Sequence, residues 1–398
     1  MRLAEQTFAL KDRKPRPPSA LRAVQERFFE WTSGYAVSNR IVIGRKPEAD
    51  AILLAGNDYL SLARHPRIVE AILTTLRDTR ADVLMSAVYV QHLEVQQRFE
   101  AAMATWLGSE AAVLCQSGWA ANDGLIQVLA DSEMPVYIDF NAHASLWQGA
   151  HSAGATVRPF RHNDADSLSA LTRRYGPGLI VADTVYSTTG DICPLLDFVD
   201  IAERQGCMLL MDESHAIAVR GPRGGGLVAE LGLIDRVHFR SFSLSKAFVG
   251  RGGIVAGPRH LMHYFRFVAR PSIFSSAVLL HEIAAFSTAL DIIREDEWRR
   301  DALRKNADYL RHGLQAAGWP IAENDAPIVA LMGGSEERTL QLRDALEARG
   351  VFGAVFCAPA TPRNRSLVRL TVNATVSQSA LDQVIAACAA ARQEAELG

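Results

Sequence analysis

The chain has 398 residues, of which 48% are hydrophobic and 22% are charged, the ordinary balance of a soluble globular protein with a substantial core. A formal net charge of −2 and a pI near 6.6 leave no basic stripe for nucleic acid, and no Lys/Arg run is long enough to indicate a phospholipid surface. No apolar stretch approaches the ~20 residues of a membrane span and the charged start is unlike a signal peptide, so we expect a cytoplasmic protein that acts on small metabolites.

The first 50 residues are predicted to form an N-terminal arm. A basic, proline-containing start over residues 11–18 precedes one amphipathic helix around residues 21–31. Arms of this kind often wrap a partner subunit, so we expect residues 1–50 to stand apart from the rest of the chain.

From residue 51 to about residue 276, short β-rich runs alternate with helical stretches, which predicts a mostly parallel sheet covered by helices. The predicted strands are 111–115, 136–139, 179–182, 207–211, 238–242 and 253–256. A long helical segment over about 279–317 leads to a smaller α+β part with strand-like runs at 328–331 and 367–372, and the alanine-rich stretch 386–391 predicts a terminal helix. The sequence therefore predicts an α/β fold with a large domain over 51–285 and a small C-terminal domain over 286–398.

The cysteines argue against a disulfide framework and against a zinc site. Five cysteines are widely spaced, odd in number and without a C-x-x-C pair. We expect most of them to be buried as small hydrophobic residues, and we predict no metal site. They are Cys115, Cys193, Cys207, Cys357 and Cys388.

Two motifs in the large domain together indicate a pyridoxal phosphate (PLP) site. PLP chemistry needs a lysine amine that binds the aldehyde and a carboxylate that keeps the pyridine nitrogen protonated. Asp212 follows the apolar run 207–211, and Lys246 precedes the glycine-rich stretch 247–257, where glycines let the backbone pass close to a cofactor. His215 could reach the same ring. Each piece alone also has an ordinary explanation, since aspartates at strand ends often cap helices and Ser-x-x-Lys strings often begin them.

Further residues follow predicted strands at the same edge of the sheet. Gly118 and Trp119 begin a predicted helix after Ser117, and backbone N–H groups there would hold a phosphate or simply belong to a tight turn. His143 would lie on the pyridine face or be a surface histidine. Asp183 and Ser187 follow the strand 179–182 on a loop.

Arg369 is a cation flanked by apolar residues in a strand pattern. An unpaired buried guanidinium is costly, so its partner is expected to be an anion. Both a structural carboxylate and a substrate carboxylate would serve.

The ordered set of these motifs resembles the α-oxoamine synthases, the fold-type I PLP enzymes that condense an amino acid with an acyl-CoA. The resemblance covers about residue 50 to the C-terminus. It implies that Lys246 carries PLP, that Asp212 pairs with the pyridine nitrogen and that His143 stacks on the ring, and these three are the predicted catalytic residues. The motifs that carry it are the runs 57–62, 117–122, 143–145, 212–215 and 243–250.

The same resemblance implies the remaining cofactor and substrate contacts. Ser187 and His215 would meet the ring hydroxyl, with Asp183 at the same sheet edge. Arg369 would receive the amino-acid carboxylate, with Asn57 near it. The family also implies a homodimer. Contacts on the phosphate side are implied for Gly118, Trp119 and Ser243, and for Ser275 or Ser276 of the partner subunit.

Departures from the common family pattern indicate a branch. Residues 82–92 replace a glycine- and serine-rich segment with bulky apolar residues, Cys357 stands where a second arginine is expected, and Arg251 enters the loop after the lysine. The stretches 85–88, 245–251 and 358–362 are similar to the α-hydroxyketone quorum-sensing autoinducer synthases of the cholerae and Legionella type. That similarity implies condensation of a medium-chain acyl-CoA with S-adenosylmethionine or 2-aminobutyrate and decarboxylation, giving an aminoketone or enaminone precursor of the signal.

Three alternatives come from other classes. An 8-amino-7-oxononanoate synthase, which uses alanine and pimeloyl-CoA in the biotin pathway, differs in the segment 82–92. A serine hydrolase built on Ser243 and Lys246 also needs Ser-Asp-Asn and Lys-Thr-Gly strings, and neither occurs in the chain. A non-catalytic protein of the same fold would be expected to lose Lys246 or Asp212.

Overall fold

The computed structural model describes residues 19–34, 44–78 and 84–394, and the chain divides into two units, Met1–Lys46 and Pro47–Gly398. In the first unit, helix α1 (Ser19–Gly34) contains the predicted amphipathic helix. The basic start at 11–18 lies outside the described residues. The predicted boundary between a large and a small domain at residues 285 and 286 stays a prediction.

The second unit contains the strands and the remaining helices that the structure describes. Its strands are β1 (Ile52–Leu53), β2 (Ala111–Cys115), β3 (Pro135–Asp139), β4 (Thr156–Phe160), β5 (Leu179–Asp183), β6 (Met208–Asp212), β7 (Phe239–Ser243), β8 (Gly253–Gly257), β9 (Ile328–Gly334), β10 (Val351–Phe352), β11 (Ala354–Phe356) and β12 (Ser366–Thr371). Its α-helices are α2 (Pro66–Arg77), α3 (Glu94–Leu107), α4 (Gly118–Leu129), α5 (Ala144–Ser152), α6 (Ala165–Tyr175), α7 (Leu195–Gln205), α8 (Gly226–Glu230), α9 (Arg259–Val268), α10 (Arg270–Ile273), α11 (Leu280–Glu295), α12 (Glu297–Ala316), α13 (Glu336–Glu347) and α14 (Gln378–Glu394).

The largest sheet has the strand order β2-β8-β7-β6-β5-β3-β4. Neighbours from β7 to β4 are parallel, whereas β8 runs antiparallel to both β2 and β7. A second, antiparallel sheet has the order β11-β12-β9, and β1 pairs with β10. The predicted α/β class, with a mostly parallel sheet, is confirmed.

Helices cover both faces of the large sheet, which explains why its central strands are apolar throughout. In β5, Leu179 and Val181 face a core layer that includes side chains of α4, α5 and α9. Ile180 and Ala182 face the opposite layer, with side chains of α6 and α7. A strand buried on both faces carries a continuous apolar run, and its first polar group therefore appears at its end.

The short strands β1, β10 and β11 were not predicted, and two longer elements also differ from the sequence-based expectation. The predicted helix over 279–317 is two helices, α11 and α12, because Asp296 leaves the helical conformation at φ −94°, ψ 68°. Strand β4 was not predicted, because it contains Arg158 and Pro159 rather than an apolar run. It lies at the sheet edge, where a proline is tolerated.

The five cysteines are free and buried, as expected. Within the described ranges, no helix combines the length and the apolar character that crossing a bilayer requires.

Candidate active site

Several of the predicted site residues lie at the carboxyl ends of neighbouring strands. Asp183 ends β5 and lies opposite Asp212, which ends β6, while Ser243 ends β7. His143 follows β3 directly and caps α5. Because parallel strands end at the same edge of a sheet, this is where open α/β folds bind ligands.

Asp212 is buried, and two donors fix its carboxylate. The Ser214 N–H donates to Oδ1 at 2.8 Å, and Nδ2 of Asn122 donates to Oδ2 at 2.6 Å. Asn122 is itself held, because its Oδ1 accepts from the Ser241 hydroxyl at 2.5 Å and its Nδ2 also donates to Oγ of Ser145 at 2.8 Å. This network leaves the carboxylate one orientation.

Asn122 was not predicted as a site residue. It lies in the run 117–122 and on the buried face of α4, between apolar residues. A polar side chain in an otherwise apolar helix face is the signal that could have identified it, since buried amides need partners.

Lys246 lies in the turn after β7 and is largely buried. Burial lowers the pKa of its amine, the carboxylates of Asp212 and Asp183 oppose this shift, and the charge of Arg369 adds to it. A lysine with a lowered pKa holds more free amine near neutral pH, which is the nucleophilic form.

The carboxyl group of Asp183 anchors the start of α5. Its Oδ2 accepts from the backbone N–H of His143 at 2.9 Å. Burial and the neighbouring charge of Asp212 raise the pKa of Asp183 well above its usual range. Two buried carboxyl groups side by side favour a cation or a shared proton between them.

The two histidines of the site are neutral near neutral pH. Burial lowers the pKa of His143, whose Nδ1 lies 2.7 Å from Oγ of Ser145 and whose ring meets Trp119 edge-on at 6.2 Å. Burial, with the charges of Lys246 and Arg369, lowers the pKa of His215 well below its usual value. Nδ1 of His215 lies 2.6 Å from Oη of Tyr59, a residue whose role was not predicted.

The N-terminus of α4 packs against the end of β7 through glycine. Ser117 caps the helix, since its Oγ accepts from the Ala120 N–H at 3.0 Å. A Cβ at Gly118 would lie 2.6 Å from Cβ of Ser243, and one at Gly253 would lie 2.3 Å from the Ser117 carbonyl oxygen. Only glycines allow the start of α4 to lie this close to the neighbouring strand ends. The close packing sets helix N–H groups beside serine hydroxyls, an arrangement suited to binding a phosphate.

Arg369, in β12, is a buried cation without a carboxylate partner among the described residues. Its Nη1 donates to the Ser187 carbonyl oxygen at 2.8 Å, and its Nη2 donates to Oδ1 of Asn57 at 3.1 Å. Its Cζ lies 4.9 Å from the ring centroid of Phe356, and Nε is buried with no hydrogen-bond partner. Two partners were expected for Arg369, a structural carboxylate or a substrate carboxylate. No residue in the described part of the chain supplies the structural carboxylate.

Ser275 and Ser276 are exposed and do not join the other site residues within the chain. Ser276 forms a β-bridge with Ser86, and the Ala277 N–H donates to the Met85 carbonyl oxygen at 2.8 Å. The altered segment, residues 82–92, and the predicted phosphate-binding serines are therefore neighbours. Residues 82 and 83 of that segment lie outside the described residues.

The donor set fits PLP. The site offers an amine of lowered pKa for an aldehyde, an oriented carboxylate for a ring nitrogen and neutral imidazoles for a ring face and a hydroxyl. The glycine cradle at the start of α4 matches a phosphate.

Comparison with known proteins agrees with this donor set. The chain matches the family model described as aminotransferase class I and II over residues 49–387. It is 43% identical to the CAI-1 autoinducer synthase of Vibrio campbellii, over 90% of this chain and 91% of that protein. It is 33% identical to an 8-amino-7-oxononanoate synthase of Symbiobacterium thermophilum, over 87% of this chain and 89% of that protein. The solved structure of a serine palmitoyltransferase from S. paucimobilis with bound PLP and myriocin superposes with a TM-score of 0.89 at 25% identity, covering 96% of this chain and 100% of that one.

Proposed function

The chain belongs to the aminotransferase class I and II family and is a PLP-dependent α-oxoamine synthase, an acyl-CoA:amino acid C-acyltransferase, and on that premise we propose a more specific reaction. In this proposal, the enzyme joins a medium-chain acyl-CoA to S-adenosylmethionine or 2-aminobutyrate with decarboxylation. The product is an aminoketone or enaminone precursor of an α-hydroxyketone autoinducer. The 43% identity to an autoinducer synthase across 90% of the chain supports the signalling role.

One observation carries the amino-acid half of the proposal. Arg369 is a buried guanidinium with no carboxylate partner among the described residues, and its charge helps to lower the pKa of the Lys246 amine. Burying a cation is unfavourable unless an anion reaches it. A substrate carboxylate bound there, beside Asn57, would complete the pair and set the donor's amine toward Lys246.

Lys246 would hold the cofactor and move the reacting proton. PLP, when bound, supplies an electron sink for the carbanion formed at the amino-acid Cα. The lowered pKa of the Lys246 amine suits it to remove that proton near neutral pH and to return it later. Asp212, oriented by Asn122, would keep a proton on the pyridine nitrogen.

The remaining residues would orient the ring and the phosphate. His143, fixed by Ser145 and by the Asp183 carboxylate, would lie against one ring face, and His215 would donate to the ring hydroxyl together with Ser187. The phosphate would lie at the start of α4, held by Gly118, Trp119 and Ser243 and by Ser275 or Ser276 of the partner subunit in a homodimer.

The acyl group would contact apolar surface contributed by the altered segment. Leu84, Met85 and Tyr89 are exposed in the single chain, and each CH₂ of a fatty chain buried against such a surface contributes about 0.8 kcal/mol. Cys357 packs in the hydrophobic core and supplies no cation for the distal carboxylate of pimeloyl-CoA. Burying that charge without a partner would be unfavourable, so an acyl chain without a distal carboxylate is favoured.

The deciding experiment measures CoA release across a series of acyl-CoA substrates, each paired with S-adenosylmethionine, 2-aminobutyrate or alanine. We expect saturated medium-chain acyl-CoA to give a higher kcat/KM than pimeloyl-CoA, with alanine the poorest donor. Lys246→Ala is the background control. A preference for pimeloyl-CoA with alanine would replace this proposal with the 8-amino-7-oxononanoate synthase reaction.

A further inference from the structure

We propose that Tyr59 is a positioning residue that fixes the tautomer of His215, so that Nε2 carries the ring proton and directs it into the site. This inference deepens the proposed role of His215 at the cofactor hydroxyl and rests on it. Tyr59 lies in the sequence motif 57–62, but no role was predicted for it.

The contact is short, buried and made between segments distant in the chain. Oη of Tyr59 lies 2.6 Å from Nδ1 of His215, 156 positions away, and the rings meet edge-on with centroids 6.1 Å apart. Tyr59 has no exposed surface, and its carbonyl accepts from the Ala374 N–H at 2.8 Å. Its ring belongs to the hydrophobic core that also includes side chains of α2 and β12, so the hydroxyl has little freedom to move.

Counting donors decides which atom holds the hydrogen. A neutral imidazole has one N–H and one lone pair, and a phenol has one O–H. If Nδ1–H donated to Tyr59, the phenol hydrogen would need another acceptor, and none of the described residues offers one. A buried donor left without a partner is unfavourable.

The opposite arrangement satisfies the buried donor. When the Tyr59 O–H donates to Nδ1 of His215, the ring proton is on Nε2, which has no hydrogen-bond partner among the described residues. Nε2–H is then the free donor of the pair. It would be available to an acceptor in the site, such as the ring hydroxyl oxygen of PLP.

Burial keeps both groups neutral. Burial and the positive charges of Lys246 and Arg369, with His143, lower the pKa of His215, which disfavours an imidazolium with both nitrogens protonated. Burial raises the pKa of Tyr59, with Arg369 opposing, so the phenol keeps its hydrogen. Near neutral pH the pair therefore holds two hydrogens, one on the phenol and one on the imidazole.

The test is the tautomer of His215 in the protein without PLP or substrates. Nitrogen-15 labelling of histidine rings and long-range nitrogen–hydrogen correlation spectra report which ring nitrogen is protonated, and His215→Asn assigns the signal. We expect Nε2–H in the wild type and a shift toward Nδ1–H in Tyr59→Phe. Tyr137→Phe is the matched control, because Tyr137 is equally buried and donates to the Gly176 carbonyl oxygen at 2.6 Å.

A second readout is the affinity for PLP, titrated by absorbance. We expect about tenfold weaker binding in Tyr59→Phe, the size of one lost hydrogen bond, and no comparable change in Tyr137→Phe. Nδ1–H in the wild type, or unchanged Nε2–H in Tyr59→Phe, would overturn the proposal. If the variant does not fold, Nδ1–H in the wild type would still overturn the proposal. Because no substrate is present, failure of the proposed acyl-CoA reaction would leave this result standing.

Discussion

Asn122 is the residue on which the orientation of Asp212 depends. We expect Asn122→Ala to lower the free energy of unfolding by about 2 kcal/mol, because it leaves Oδ2 of Asp212 and the Ser241 hydroxyl without their buried partner. Urea unfolding of the protein without PLP measures this. Gln127→Ala is the matched control, since Gln127 lies on the same helix and its amide donates to Asp123 at 2.8 Å outside the network. Equal losses in the two variants would remove Asn122 from this role.

Individual residues of the site differed in how well the sequence could identify them. Lys246, Asp212 and His215 lie beside strand ends and in compact motifs, so the sequence could nominate them, and their roles at a cofactor stay predictions. Asn122 and Tyr59 act through contacts with residues 90 and 156 positions away, which no local pattern contains. Their roles follow from the fold that brings those segments together.

The loop between β5 and α7 is held by an ionic cluster. His162 follows β4, and its Nδ1 lies 2.9 Å from Oδ1 of Asp139 while its Nε2 lies 3.3 Å from Oδ2 of Asp191. The ring also meets Tyr186 edge-on at 4.4 Å. This loop carries Ser187, whose carbonyl oxygen accepts from Arg369, so the cluster supports the proposed carboxylate site.

Stability should therefore fall with alkaline pH. Burial alone would lower the pKa of His162, but its hydrogen bonds to Asp139 and Asp191 raise it from 6.5 to about 9. Because the pKa is raised in the folded protein, protonated His162 contributes to the free energy of unfolding. This contribution is complete below pH 6.5 and is lost as the pH rises through 9. We expect a loss of about 2–3 kcal/mol across that window, measured by urea unfolding at each pH. His162→Gln should flatten the curve between these limits, and parallel wild-type and variant curves would contradict the assignment.

The helices and strands were predictable where both sheet faces are covered, because a continuous apolar run then marks each central strand. The edge strand β4 contains Arg158 and Pro159 in place of such a run, and β10 and β11 are apolar but only two and three residues long, so pairing rather than local pattern defines these strands. The break between α11 and α12 at Asp296 was missed for a related reason. Helix-forming residues continue on both sides of it.

At the scale of the whole molecule, an exposed apolar surface lies where the altered segment meets Ser275 and Ser276. Leu84 and Phe274 are 81% and 82% exposed, and Met85 and Tyr89, which follow Leu84 in the chain, are also exposed. Water contact with side chains this apolar is unfavourable, so a second copy of the chain is the proposed cover.

Phe274→Glu should weaken that dimer by at least tenfold and reduce PLP retention with it, because a buried glutamate would lack a partner. Sedimentation velocity across a concentration series measures the association. Leu196→Glu is the control, since Leu196 is an exposed leucine on α7. An active monomer in the wild type would exclude the proposed shared site.

We propose that the carboxyl ends of β5, β6 and β7 form the PLP site and that Lys246 carries the cofactor. Borohydride reduction of the PLP-loaded protein fixes the cofactor to the amine that holds it, and peptide mass mapping then locates the phosphopyridoxyl group. We expect one labelled peptide, the one that contains Lys246, and no label at that position in Lys246→Ala. Label on any other lysine of the wild type would contradict it.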